Sequence, residues 1–92
     1  MNQVRLFVRG RVQGVGFRQF VRAKAHKLML TGWVQNLSDG RVEVLARGPH
    51  ERLSMLITDC NRGPVLAEVE DVEVRWEELG ERMQGFTIRQ LS

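Results

Sequence analysis

Apolar and polar residues alternate from Val4 to Val12, with Val4, Leu6, Val8 and Val12 on one side and Arg5, Arg9 and Arg11 on the other. A period of two predicts a half-buried strand. The period changes at Phe17. Phe17, Phe20, Val21, Ala25 and Leu28 then form one helical stripe, with Arg22, Lys24 and Lys27 largely outside it. That spacing predicts an amphipathic helix over residues 17–29. The aromatic pair Phe17 and Phe20 reads as core. Thr31 to Leu37 returns to strand character, with Trp33 and Val34 as apolar anchors. Ser38-Asp39-Gly40 predicts a hairpin turn, because Asp-Gly tolerates the positive backbone angles of tight turns. Arg41 to Arg47 is the returning strand, with Val42, Val44 and Ala46 on one face.

Gly48-Pro49 opens a second helix, with proline expected at the first helical position. Leu53, Leu56, Ile57 and Cys60 follow i, i+3, i+4, i+7 spacing, and Gly63-Pro64 stops the helix. Residues 69–76 predict another strand, Val72, Val74 and Trp76 pointing one way and Glu73, Arg75 and Glu77 the other. A polar connection over 79–85 leads to a short last strand holding Phe86 and Ile88. The order β-α-β-β-α-β plus a short fifth strand predicts an α+β, ferredoxin-like split βαβ sandwich. One antiparallel sheet with two helices on one face would bury every apolar stripe.

Ninety-two residues without a linker or repeat read as a single domain over 1–92. No apolar run of membrane-spanning length occurs, and the N-terminus has no signal-peptide pattern. Cys60 is the lone cysteine, and at helical spacing among leucines it reads as a buried small hydrophobe. His26 and His50 show no metal-ligand spacing. These features predict a cytoplasmic protein with no metal or cofactor. The net charge of +3 hides an asymmetry, with residues 1–50 at +7 and residues 51–92 at −4. The basic half should draw anions.

That half contains Gly10-Arg11-Val12-Gln13-Gly14-Val15-Gly16-Phe17-Arg18, a glycine-rich turn from strand to helix. Glycines there let several backbone N–H groups face one point, the helix start adds partial positive charge, and Arg18 adds a fork of donors. This chemistry suits phosphate. Two common phosphate loops are excluded. Gln19 occupies the third-glycine position of G-x-G-x-x-G, and no Lys-Ser/Thr pair follows the glycines. A cation in the first helical turn is locally unfavourable, which argues for a bound anion beside Arg18.

Gly10-x-Val12-Gln13-Gly14-Val15-Gly16-Phe17-Arg18 and Gly32-Trp33-Val34-x-Asn36-x-x-Asp39-Gly40-x-Val42, together with Gly48-Pro49, Gly63-Pro64 and Phe86-Thr87-Ile88-Arg89, resemble the acylphosphatase family from end to end. The resemblance implies metal-independent hydrolysis of acyl phosphates. It places Arg18 as the catalytic phosphate-binding arginine and Asn36 as the residue that orients the attacking water. The backbone of Gln13, Gly14, Val15, Gly16, Phe17 and Arg18 becomes the phosphate loop. Asn36 is neutral and can orient water without acting as a base, so a substrate phosphate oxygen is expected to take the proton. Asp39 reads as a turn residue.

The chain departs from the family pattern at Met29, where glycine is usual, and in its Gln90-Leu91-Ser92 ending, which lacks the common aromatic. The expected partners are small acyl phosphates and inorganic phosphate, with no nucleic acid or membrane, and the expected state is a free-standing monomer. The rival readings are a nucleic-acid-binding module and a non-catalytic anion-binding domain. The first lacks exposed aromatics on its central strands, Phe7 being the only one on the polar side of the first strand.

Overall fold

The computed structural model describes residues 1–90; Leu91 and Ser92, at the unusual ending, lie outside the described residues. The elements are β1 (Asn2–Arg11), α1 (Phe17–Lys27), β2 (Thr31–Asn36), β3 (Val42–Gly48), α2 (His50–Arg62), β4 (Glu68–Glu77) and β5 (Phe86–Arg89). They form a five-stranded sheet in the order β4-β1-β3-β2-β5, the ferredoxin-like α+β arrangement. Alternation sets the register. Leu6 sits opposite Val44 and Val8 opposite Val42, so the apolar sides of the two central strands coincide. Those residues meet Phe17, Val21 and Ala25 of α1 and Leu53, Leu56 and Cys60 of α2 in one buried core. Val12, just past β1, is buried there too.

The sheet is mixed, correcting the expectation of an all-antiparallel one. β5 pairs with β2 in parallel, through Trp33 with Thr87 and Val34 with Ile88. The cause is topological. Three antiparallel pairings separate β4 from β2, and the 78–85 connection reverses the chain after β4, so β5 must run with β2.

Not every apolar stripe is buried. β4 is an edge strand, and α2 packs over only part of it. Val69 and Val72 touch the core, whereas Val74 is 37% and Trp76 46% exposed. Trp76 stacks on His50 at the start of α2 instead, with ring centroids 4.7 Å apart. Trp33 lies on the open side of the sheet under the guanidinium of Arg89, 4.3 Å from its centroid.

Helix ends also differ from expectation. Pro49 is the N-cap, with extended backbone, and α2 begins at His50. α1 ends two residues earlier than its pattern, because Met29 takes a left-handed conformation with φ 55. Met29 N–H donates to His26 O at 3.1 Å and Leu30 N–H to Ala25 O at 2.9 Å. This is the Schellman pair of bonds, formed here with methionine in the position glycine usually fills.

Candidate active site

Between β1 and α1 the chain turns through residues 12–16. Gly14 (φ 72) and Gly16 (φ 79, the helix N-cap) both hold left-handed backbone. A Cβ at either position would meet nothing within 4 Å. Glycine is therefore needed for the backbone angle, while the space above the loop stays open. The turn leaves donors free. Among the described residues none of the N–H groups of residues 14–19 donates to a backbone carbonyl; Phe20 is the first to do so, to Gly16 O at 3.0 Å. Among the described residues no side chain caps the helix, and its first turn holds no acid. Free N–H groups at a helix start concentrate positive potential at one spot.

Arg18 adds a full charge there. Its residue is half-buried, and it forms no ion pair among the described residues, whereas Arg5, Arg9, Arg41 and Arg75 each pair with a carboxylate. Across from Arg18 lies Asn36, the last residue of β2. Its Oδ1 is buried, and among the described residues no protein donor reaches it. A buried acceptor without a partner is uncommon and costly, so a ligand or water that donates to it would be favoured.

These groups line one cavity of about 180 Å³, whose walls are Gly14, Gly16, Phe17 and Arg18 from the loop, Asn36 from β2, and Val12 and Gln19. Its size exceeds the ~10–15 Å³ that one water needs, leaving room for a small anion and a solvent molecule. Of the expected loop residues, Gln13 and Val15 are not among the walls. Val15 packs against the core, and Phe17, a core residue at 1% exposure, is one of the cavity's walls. The Gln13 amide donates instead to Leu37 O (2.8 Å) and Arg41 O (3.0 Å) in the β2–β3 hairpin. Gln19 and Val12 were not foreseen as walls. Gln19 had a signal, being next to Arg18 in the first turn. Val12 had none, since it reads as an ordinary strand residue.

Asp39 stays in the turn. Its carboxylate accepts from Arg41 N–H at 3.1 Å and Arg41 Nε at 2.8 Å. The Arg41 backbone N–H, helped by its guanidinium, holds the Asp39 carboxyl below its usual range. Cys60 is fully buried, and burial pushes its thiol up to about 12, so it is no nucleophile. Among the described residues no group of three or more His, Cys, Asp and Glu is placed to hold a metal, and no helix is long and apolar enough to cross a membrane.

A family model described as acylphosphatase matches residues 4–88. An acylphosphatase of Thermus thermophilus is 52% identical over 82 residues, covering 88% of this chain and 91% of that protein. One from Thermococcus kodakarensis is 49% identical over 90 residues, covering 96% and 98%. The crystal structure of acylphosphatase from Bacillus subtilis superposes with a TM-score of 0.94 at 44% identity, covering 97% of this chain and 99% of that one. The match spans the glycine loop, the hairpin and the sheet that holds them together, and the chain belongs to the acylphosphatase family.

Proposed function

We propose that this protein hydrolyses acyl phosphates to a carboxylate and inorganic phosphate, with the cavity between the 12–16 loop and the end of β2 as its active site. The observation that carries the reading is the meeting of opposites in one cavity. Free N–H groups and Arg18, which has no ion pair among the described residues, offer donors and positive charge, and across from them Asn36, another wall of the cavity, carries a buried Oδ1 with no protein donor among the described residues. Donors suit phosphoryl oxygens, and the acceptor suits a water proton.

The chemistry follows. The N–H groups of Gly14, Gly16, Phe17 and Arg18 and the Arg18 guanidinium hold the phosphoryl oxygens, and the guanidinium grips two of them at once. Asn36 Oδ1 accepts a hydrogen bond from a water and sets it in line with the acyl–oxygen leaving group. The water oxygen bonds to phosphorus, the phosphorus–oxygen bond to the acyl group breaks, and the carboxylate departs with the electron pair. A carboxylate is a weak base, with a pKa near ~4, so it needs no acid to leave. The water proton passes to a phosphoryl oxygen. Fixed dipoles and positioning are the main catalytic terms, and no step calls on a metal. The lone buried Cys60 supports a cytoplasmic setting, and the enzyme is taken to act as a monomer on small acyl phosphates.

The test is steady-state hydrolysis of benzoyl phosphate in buffer with excess chelator. Metal-free turnover inhibited competitively by inorganic phosphate is expected. A folded protein that binds phosphate without turnover would leave an anion-binding domain as the better account.

A further inference from the structure

Among the described residues, the Gln13 side chain makes the one direct hydrogen-bonded link between the two halves of the site. Its amide nitrogen has two protons, and each has an acceptor: Leu37 O at 2.8 Å and Arg41 O at 3.0 Å. Those carbonyls lie at the base of the β2–β3 hairpin, where Leu37 N–H also donates to Arg41 O at 2.8 Å. Leu37 is the residue next to Asn36. The donor side of the cavity is thus fastened, through one side chain, to the residue that follows the acceptor. Gln13 is only half-buried and is not a wall of the cavity, so it is placed to act on the site without touching substrate.

We infer that Gln13 is a positioning residue: its two hydrogen bonds fix the distance between the phosphate loop and Asn36, and so the in-line placement of the attacking water. The inference rests on the acyl phosphate reading above. Phosphate binding needs only the loop and Arg18. Turnover needs the loop and Asn36 in register, and reacting atoms out of place by an ångström lose much of the rate. Losing the clamp therefore lowers kcat and leaves phosphate binding nearly intact. A residue that merely kept the loop folded would disturb both.

The experiment compares wild type, Gln13→Met, Gln13→Lys and Asn36→Ala, and the double variant Gln13→Met with Asn36→Ala. Methionine keeps the length and loses both donors; lysine keeps a donor of similar reach. With benzoyl phosphate, Gln13→Met should lower kcat by about 10-fold or more, with inhibition by inorganic phosphate within about twofold of wild type. Gln13→Lys should recover kcat to within about threefold. In the Asn36→Ala background Gln13→Met should cost nothing further, because residues acting through one another are not additive. Wild-type kcat in Gln13→Met, or losses that multiply in the double variant, would overturn the inference. An NMR readout separates this outcome from failure of the hydrolase reading. The Asn36 side-chain amide signal should shift in folded Gln13→Met, and an unchanged signal overturns the clamp whether or not the wild type turns over. Should Gln13→Met fail to fold, Gln13→Ala serves the same comparisons.

Discussion

Replacing Met29 with glycine should stabilise the protein. Met29 holds φ 55 as the residue after the α1 cap, and an L side chain in left-handed backbone costs about 1–2 kcal/mol. Glycine has no such penalty but loses more freedom on folding, about 0.5–1 kcal/mol. Few contacts are given up, since Met29 is 71% exposed. The two Schellman bonds come from backbone groups, and Leu30 stays buried beneath them. The net gain is about 0.5–1 kcal/mol, or roughly 2–8 °C in Tm for a domain of this size. Urea and thermal denaturation of wild type, Met29→Gly and Met29→Ala measure it. The alanine variant removes the same side chain and keeps the Cβ, so the gap between the two isolates the backbone term. Benzoyl phosphate turnover should not change, because Met29 lies beyond the far end of α1, an 11-residue helix about 16 Å long at 1.5 Å per residue, from the cavity at its start. Glycine and alanine variants of equal stability would refute the reasoning.

Other outcomes follow from the same contacts. The Arg5 guanidinium, helped by Gln3, holds the Glu77 carboxyl below its ordinary value of 4.5. A depressed folded value means this stability is present above pH 4.5 and lost as pH falls through the folded value. Urea midpoints of wild type and Glu77→Gln should accordingly differ at pH 7 and draw together as pH falls below 4.5; a gap that does not narrow there would count against the pairing. Cys60, at 0% exposure, should react with an aromatic disulfide reagent at pH 8 only as fast as the protein opens, and labelling at the rate of a free thiol would contradict its burial. Inorganic phosphate at 100 times its dissociation constant should add about 2.7 kcal/mol to the stability of wild type and far less to Arg18→Ala.

What the sequence disclosed depended on how local the cause was. The alternation of Val4, Leu6 and Val8, the stripe from Phe17 to Ala25 and the Asp39-Gly40 turn are properties of neighbours, and the structure keeps them. The parallel seating of β5 depends on how three other strands pair, and no local pattern encodes it. Val74 and Trp76 look like core residues because their strand alternates, but an edge position leaves them half-covered. At the site, Arg18 was legible because a cation at a helix start calls for an explanation. Asn36 drew its role from the family resemblance, since an asparagine before a turn has a simpler local reason; its buried Oδ1 appears only in three dimensions. The Gln13 bonds reach across 24 and 28 residues, and nothing within the glycine loop points to their acceptors.

In the proposed mechanism Arg18 and the loop hold phosphate while Asn36 places water. The most direct test measures kcat for benzoyl phosphate and the inhibition constant of inorganic phosphate in wild type, Arg18→Ala and Asn36→Ala. Arg18→Ala should lose phosphate inhibition and about 10²–10³-fold in kcat, the scale of removing a principal charge-stabilising donor. Asn36→Ala should lose comparable turnover while phosphate still inhibits as in wild type. Near-normal turnover in either folded variant would contradict the account.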